Sequence, residues 1–98
     1  MGITVRLFAN FREAAGTGQL EIPGAKTVGE LLDILVEKFG ENFSKLLYEE
    51  PGTKKLRTAT NIFVNGQAIA VMNGLDTKLK DGDSVAIFPP VAGGSFFL

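Results

Sequence analysis

The chain has 98 residues, 45% of them hydrophobic and 21% charged, with a formal net charge of −1. This length suits a single domain, and so small a charge creates no field that would attract nucleic acid or an anionic membrane. The absence of cysteine and histidine excludes thiolate nucleophiles, thiolate or imidazole metal ligands and the commonest general base. We therefore expect a protein without an active site of its own. Because no apolar run could span a membrane and the N-terminus has no signal-peptide layout, we also expect it in the cytoplasm.

Two strands are predicted at the start of the chain. Residues 3–9 alternate with a period of two, which predicts a strand. Its core-facing side chains are those of Ile3, Val5 and Leu7. Residues 19–22 predict a second, short strand that ends at Pro23, and the two strands should pair as a hairpin. The long connection between them is predicted to contain a short helical turn over residues 11–15.

The clearest helix begins after Thr27. This residue lies three positions before Glu30, the spacing of a capping box that satisfies backbone donors at a helix N-terminus. Apolar residues then recur at intervals of three and four, as on one face of an amphipathic helix, and Gly40 is placed to end it. Those apolar residues are Val28, Leu31, Leu32, Leu35 and Phe39. A second helix is expected over residues 41–50.

The second half of the chain predicts three more strands. Residues 61–64 and 67–71 flank Asn65-Gly66, the pair favoured in two-residue hairpin turns. Residues 84–88 form the last predicted strand, which must end at the following prolines because proline cannot donate to a sheet.

These elements predict an α+β protein with a mixed sheet of about five strands around one main helix. The helix can bury its apolar face only against one side of the sheet, so the first and last strands should lie side by side in the middle. This arrangement is the β-grasp, or ubiquitin-like, fold, which we assign to residues 1–88.

Residues 89–94 form a separate tail that we expect to carry the function. The prolines stop the sheet, and six residues can extend on the order of 20 Å. Because glycine has no Cβ, a glycine pair can enter a channel too narrow for other residues, which suits a carboxylate delivered into another protein's active site. A merely flexible tail is the other interpretation. The tail comprises Pro89, Pro90, Val91, Ala92, Gly93 and Gly94.

Two stretches resemble a known family. Residues 81–94 read DGDSVAIFPPVAGG and residues 5–17 read VRLFANFREAAGT. They resemble the C-terminal tail and the first strand with its following turn in the small subunit of molybdopterin synthase, a ubiquitin-like sulfur carrier. The main helix and the Asn65-Gly66 hairpin follow in that family's order, so the resemblance extends up to Gly94.

The resemblance implies a carrier that binds no cofactor or metal itself. An adenylyltransferase of the ubiquitin-activating type would use ATP to form an acyl-adenylate on the Gly94 carboxylate, and sulfur would replace the adenylate to give a thiocarboxylate. The large subunit of molybdopterin synthase would receive the tail, with Gly93 in its channel, and pass the sulfur to a precursor of the molybdenum or tungsten cofactor. The same resemblance also fits a protein modifier that is joined through Gly94 to lysines of target proteins.

Residues 95–98 depart from the family pattern, whose members usually end at Gly-Gly. A peptide bond to Ser95 stands where the carboxylate should be, so we expect a processing protease to remove this extension. If the extension is kept, the chain would instead be a non-covalent interaction module.

Three phenylalanines are predicted on the sheet face opposite the core: Phe8, Phe63 and Phe88, with Ala86 beside the last. Apolar clusters of this kind mark partner sites, so we expect partner binding there. A loop, or the extension residues 96–98, could equally cover the cluster.

Two charged groups have simpler interpretations. Lys54, Lys55 and Arg57 predict a solvated basic loop, with partner docking as the less favoured interpretation. Asp81 and Asp83 predict a turn, because a metal ion would need more oxygen ligands than they provide.

Overall fold

The computed structural model describes residues 2–49, 56 and 60–89. Strands β1 to β5 and helices α1 to α3 lie along these residues. In chain order they are β1 (Ile3–Leu7), α1 (Ala9–Ala15), β2 (Gln19–Ile22), α2 (Val28–Phe39), α3 (Glu41–Leu47), β3 (Asn61–Val64), β4 (Gln67–Ala68) and β5 (Ser84–Phe88). Two short 3₁₀ helices, Ile69–Val71 and Gly74–Asp76, lie between β4 and β5.

The strands form a mixed sheet in the order β2-β1-β5-β3-β4. β1 and β5 run parallel in its centre, with Val5 opposite Val85, and the other neighbouring strands are antiparallel. The prediction that the first and last strands share the middle of the sheet is therefore confirmed. The protein has the predicted β-grasp fold.

Helix α2 is held at its N-terminus by the predicted capping box. Thr27 Oγ1 accepts a hydrogen bond from the Glu30 backbone N–H at 3.1 Å. The Glu30 carboxylate accepts from the Lys26 backbone N–H at 3.1 Å, one residue before the usual return contact. Gly40, with a φ of 85°, follows the last residue of the helix.

The core lies between α2 and one face of the sheet. The apolar stripe of α2 packs there against β-strand side chains, most of which are fully buried. The buried residues of α2 are Val28, Leu31, Leu32 and Leu35, and those of β1 are Ile3, Val5 and Leu7. Phe39, which the helical pattern assigns to the same stripe, is only partly buried.

Helices α1 and α3 close one side of this core. Phe11 of α1 and Phe43 of α3 are buried, with ring centroids 5.6 Å apart. The predicted helical turn over residues 11–15 is part of a longer helix that begins at Ala9. The second predicted helix is confirmed over Glu41–Leu47. None of the helices in the described parts of the chain is long and apolar enough to cross a membrane.

The fourth strand is shorter than the sequence pattern predicts. The Asn65-Gly66 turn has the expected positive φ angles of 51° and 87°, but β4 ends after two residues instead of continuing to position 71. The Met72 backbone N–H donates to the Ile69 carbonyl at 3.0 Å, and this local bond replaces pairing with β3. Val71, which alternation would turn toward the core, is instead 79% exposed.

The turn before β5 is tied to the β3–β4 hairpin. Asp83 is buried, and its carboxylate accepts from Asn65 Nδ2 and from the Lys80 backbone N–H, both at 3.0 Å. Asn65 Oδ1 accepts from the Ser84 backbone N–H at 2.9 Å. The prediction that Asp83 serves a turn is therefore confirmed, and this network fixes where β5 begins.

Candidate functional site

Three phenylalanines lie together on the sheet face opposite α2. The rings of Phe8 and Phe88 meet edge to face with centroids 5.9 Å apart, and those of Phe63 and Phe88 are 5.3 Å apart at an angle of 30°. Such pairs contribute about 0.5–1.5 kcal/mol beyond the burial of their area. We call Phe8, Phe63, Ala86 and Phe88 the phenylalanine face.

Strand register explains this grouping. Ala86 of β5 lies directly opposite Phe63 of β3, and alternation puts Phe88 on the same face two residues later. The intervening Ile87 is fully buried on the core side. Phe63, Ala86 and Phe88 are each more than half buried, whereas Phe8 is 44% exposed. The phenylalanine face is thus a shallow apolar surface, and Phe8 is its most accessible part.

Phe8 is held at the junction of β1 and α1. Its backbone N–H donates to the Ile87 carbonyl at 3.2 Å, which extends the parallel pairing by one residue. Ala9 then adopts a φ of 53°, a left-handed conformation that costs a residue with a Cβ about 1–2 kcal/mol. This turn sends the chain into α1 and leaves the Phe8 ring beside Phe88.

A small pocket opens where the phenylalanine face meets the end of β5. Its volume is about 200 Å³, and Phe8, Ala9, Phe88 and Pro89 line it. A cavity of roughly 150 Å³ is large enough to hold benzene. The pocket can therefore accept one apolar side chain from another protein, immediately beside the point where the tail begins.

Asn61 contacts the first residue of the tail. It lies opposite Phe88, at the last register position of β3 with β5. Its side-chain Nδ2 donates to the Pro89 carbonyl oxygen at 3.1 Å. The sequence patterns do not predict a role for Asn61. The available signal was a polar side chain at the start of an otherwise apolar strand.

The remainder of the predicted tail site lies outside the described residues, so its role stays a prediction. The residues concerned are Pro90, Val91, Ala92, Gly93 and Gly94. The same holds for the extension (residues 95–98), for its possible contact with the phenylalanine face, and for the basic cluster Lys54, Lys55 and Arg57. The division of the chain at residues 88 and 94 likewise stays a prediction.

The site is suited to binding. Within the ranges 2–49 and 60–89, no group of three or more acidic side chains comes together to hold a metal ion. Burial, and to a smaller extent the charge of Asp33, raises the pKa of Tyr48. That tyrosine lies in the core after α3, away from the phenylalanine face. The face itself offers apolar contacts, and the reactive group that the sequence predicts is on the tail.

A model of the ThiS family matches residues 5–94. The chain belongs to this family. The match includes the whole phenylalanine face and ends at Gly94, the second glycine of the predicted tail. The resemblance on which the sequence analysis relied is therefore confirmed at the level of the ubiquitin-like sulfur carrier family.

Several relatives are similar along nearly their whole length. Small archaeal modifier protein 3 of Haloferax volcanii is 34% identical, over 96% of this chain and 100% of its own. Sulfur carrier protein CysO of Mycobacterium tuberculosis is 32% identical, over 96% and 100%. The molybdopterin synthase sulfur carrier subunit of Drosophila erecta is 31% identical, over 96% and 92%. Since these relatives are modifiers, carriers or carrier subunits, the prediction of a ubiquitin-like carrier rather than an enzyme is confirmed.

Solved structures share the fold. The small archaeal modifier protein 1 of Methanosarcina acetivorans superposes with a TM-score of 0.82 at 40% identity, over 94% of this chain and 95% of that one. A chain from the BexX/CysO complex of Amycolatopsis orientalis gives a TM-score of 0.78 at 32% identity, over 95% and 100%. The family thus includes both free proteins and a member solved with a partner.

Proposed function

We propose that this chain, once it ends at Gly94, carries sulfur as a thiocarboxylate on that residue. The observation that carries the proposal is the family match, which begins at residue 5 and ends on the second glycine of the tail. The sulfur carrier proteins among its relatives support the same role. In this role the folded domain provides recognition and the tail provides the reactive group.

The carrier acts as the substrate of a partner enzyme. The Gly94 carboxylate attacks the α-phosphorus of ATP, pyrophosphate leaves, and an acyl-adenylate is formed. A sulfur nucleophile then bonds to the acyl carbon and AMP leaves, so that sulfur replaces one carboxylate oxygen. Both steps need an adenylyltransferase of the ubiquitin-activating type, which binds the ATP. A terminal glycine suits this chemistry because no side chain crowds the acyl carbon.

For the sulfur acceptor we propose the molybdopterin synthase system. The large synthase subunit would take up the tail and transfer its sulfur to a pterin precursor of the molybdenum or tungsten cofactor. Support comes from the Drosophila relative, which is a molybdopterin synthase sulfur carrier subunit, and from the tail sequence FPPVAGG in residues 88–94.

The phenylalanine face is the proposed docking surface for both partners. It is apolar and its residue Phe88 directly precedes the tail. A partner side chain in the pocket between Phe8 and Pro89 would hold the domain next to Pro89, the first residue of the tail, which we call the root of the tail. Binding there would bring Gly94 to the partner's active site without any acid or base from the carrier.

A second function, protein modification, is supported by the similarity to small archaeal modifier proteins. It begins with the same acyl-adenylate. The ε-amine of a target lysine would then attack the acyl carbon in place of sulfur, giving an isopeptide bond to Gly94. The two functions differ in the nucleophile, and the products have different masses.

Either function requires cleavage of the bond between Gly94 and Ser95. That bond is a peptide bond in the sequence, and only its hydrolysis leaves a carboxylate on Gly94. We therefore propose a processing protease that removes residues 95–98.

Intact mass spectrometry of the protein from its native cells tests the proposal. We expect a species that ends at Gly94, part of it heavier by the difference between a sulfur and an oxygen atom. A Gly94→Val variant in the same cells is the control and should lack the heavier form. Conjugates to target lysines without any thiocarboxylate would favour the modifier. A single species that retains residues 95–98 would refute processing and favour the non-covalent interaction module.

A further inference from the structure

Asn61 links the last paired position of the sheet to the first residue of the tail. It lies opposite Phe88, and its Nδ2 donates to the Pro89 carbonyl at 3.1 Å. We propose that Asn61 is a positioning residue that fixes the direction in which the tail leaves the domain. This inference rests on the proposed delivery of Gly94 to a partner enzyme.

Because residues 89 and 90 are both prolines, the orientation of the Pro89 carbonyl has a large influence on the direction of the tail. The ring of Pro89 fixes its φ at about −65°, and Pro90 restricts the ψ of Pro89 to the extended region. Neither proline has an N–H with which to pair to β3 or β1. The carbonyl oxygen of Pro89 is a group through which the start of the tail can be held, and Asn61 donates to it. Because this carbonyl belongs to the next peptide plane, its orientation sets the initial direction of the tail.

A small change of direction at the root has a large effect at the end of the tail. Residues 89–94 can extend roughly 20 Å, so a rotation of about 20° at the root would move the end of an extended tail by roughly 7 Å. Misplacing a reacting group by about 1 Å can lower a rate about 100-fold. A fixed root therefore increases the fraction of docked carriers whose Gly94 enters the partner's channel.

Asn61 could instead serve only to stabilise the pairing of β3 with β5. Asn61→Asp retains the size of the side chain but removes the Nδ2 donor, and Asn61→Ala removes the whole amide. Asn42→Ala is the matched control, because Asn42 is an exposed amide on α3. A structural role would lower thermal stability, whereas a positioning role also changes where the tail points.

The first test needs no partner protein. Since the chain has no cysteine, Ala92→Cys and Glu37→Cys provide unique sites for spin labels in the full chain. Glu37 is exposed on α2. Pulsed electron paramagnetic resonance should give a broader distance distribution in Asn61→Asp and Asn61→Ala than in the parent or in Asn42→Ala. Equal widths in all four proteins would overturn the proposal.

The second test measures adenylation of the form that ends at Gly94. Trimming removes none of the described core residues, which lie between Ile3 and Ile87. With the phenylalanine face unchanged, the KM for the carrier should stay constant. The kcat of the adenylyltransferase should fall about threefold to tenfold with both Asn61 variants as substrates, the loss expected for one hydrogen bond. Kinetics equal to those of the parent, or a change in KM alone, would refute the positioning role.

The two tests separate the inference from the proposed function. If the parent ending at Gly94 is not adenylated, the proposed function fails, and the distance distributions alone decide the role of Asn61. If the parent is adenylated and the Asn61 variants match it, the positioning role fails and the function stands.

Discussion

Replacing Phe88 by alanine should weaken partner binding while the protein remains folded. Phe88 is the central ring of the phenylalanine face, in contact with Phe8 and Phe63. It also lines the pocket beside Pro89. The neighbouring Ile87, which is fully buried, stays in place, so the substitution removes surface contacts and leaves the core side of β5 intact.

The two expected losses can be worked out from burial. Truncating a fully buried phenylalanine to alanine costs about 3–5 kcal/mol. Phe88 retains some exposure, so a somewhat smaller loss, on the order of 2–4 kcal/mol, should be seen in the free energy of unfolding. A domain with typical stability of about 5–15 kcal/mol survives this loss. In an interface, a central aromatic residue contributes about 2 kcal/mol or more, so the Kd should rise at least about 30-fold.

Calorimetric titration with the activating adenylyltransferase measures this Kd, and urea unfolding measures the stability. Phe39→Ala is the matched control, because Phe39 is also partly buried but lies on α2 with its ring 5.5 Å from that of Phe43. It should lose comparable stability and bind normally. An unchanged Kd for Phe88→Ala, or an equal rise for both variants, would show that the phenylalanine face is not the docking surface.

Two further predictions concern the core. Leu31→Ala should lower the free energy of unfolding by about 2–5 kcal/mol because Leu31 is fully buried, and urea unfolding should show a smaller loss for the partly buried Leu46→Ala. Burial and Asp33 raise the pKa of Tyr48 above 10.0, so its stabilising contribution is complete below pH 10 and is lost as the pH rises through the folded pKa. Because Tyr48 is the only tyrosine, phenolate absorbance reports its titration directly. A midpoint at or below pH 10 would contradict this, and Tyr48→Phe should remove this part of the alkaline loss of stability.

Elements with strong local signals could be predicted from the sequence. The Thr27 cap, the Asn65-Gly66 turn and the alternation in β1 each depend on residues within a few positions of one another. The central position of β1 and β5 was also predictable, since one amphipathic helix must cover one sheet face. The phenylalanine face follows from the same alternation, because a strand's side chains point to opposite faces in turn.

Features that depend on distant or competing contacts could not be predicted in this way. The Asn61 bond to Pro89 joins residues 28 positions apart, and no local pattern encodes it. The early end of β4 reflects a local hydrogen bond to Ile69 that competes with strand pairing. The left-handed Ala9 is equally unexpected, because alanine rarely adopts that conformation. Two of these three features, Ala9 and Asn61, help to form the candidate site.

The position of the candidate site on β5 bears on both proposed functions. β5 lies between β1 and β3. Its last residue, Phe88, belongs to the phenylalanine face and immediately precedes the tail. Phe88 and Pro89, the first residue of the tail, are therefore adjacent, and Asn61 lies opposite the former and donates to the carbonyl of the latter. In both proposed functions the reacting carbonyl is that of Gly94, five residues after Pro89 in the sequence, and glycine has no side chain to select the attacking group. Under either proposal, the partner that binds the tail would then determine whether sulfur or a lysine amine attacks. The same phenylalanine face and the same first tail residue would then serve either reaction.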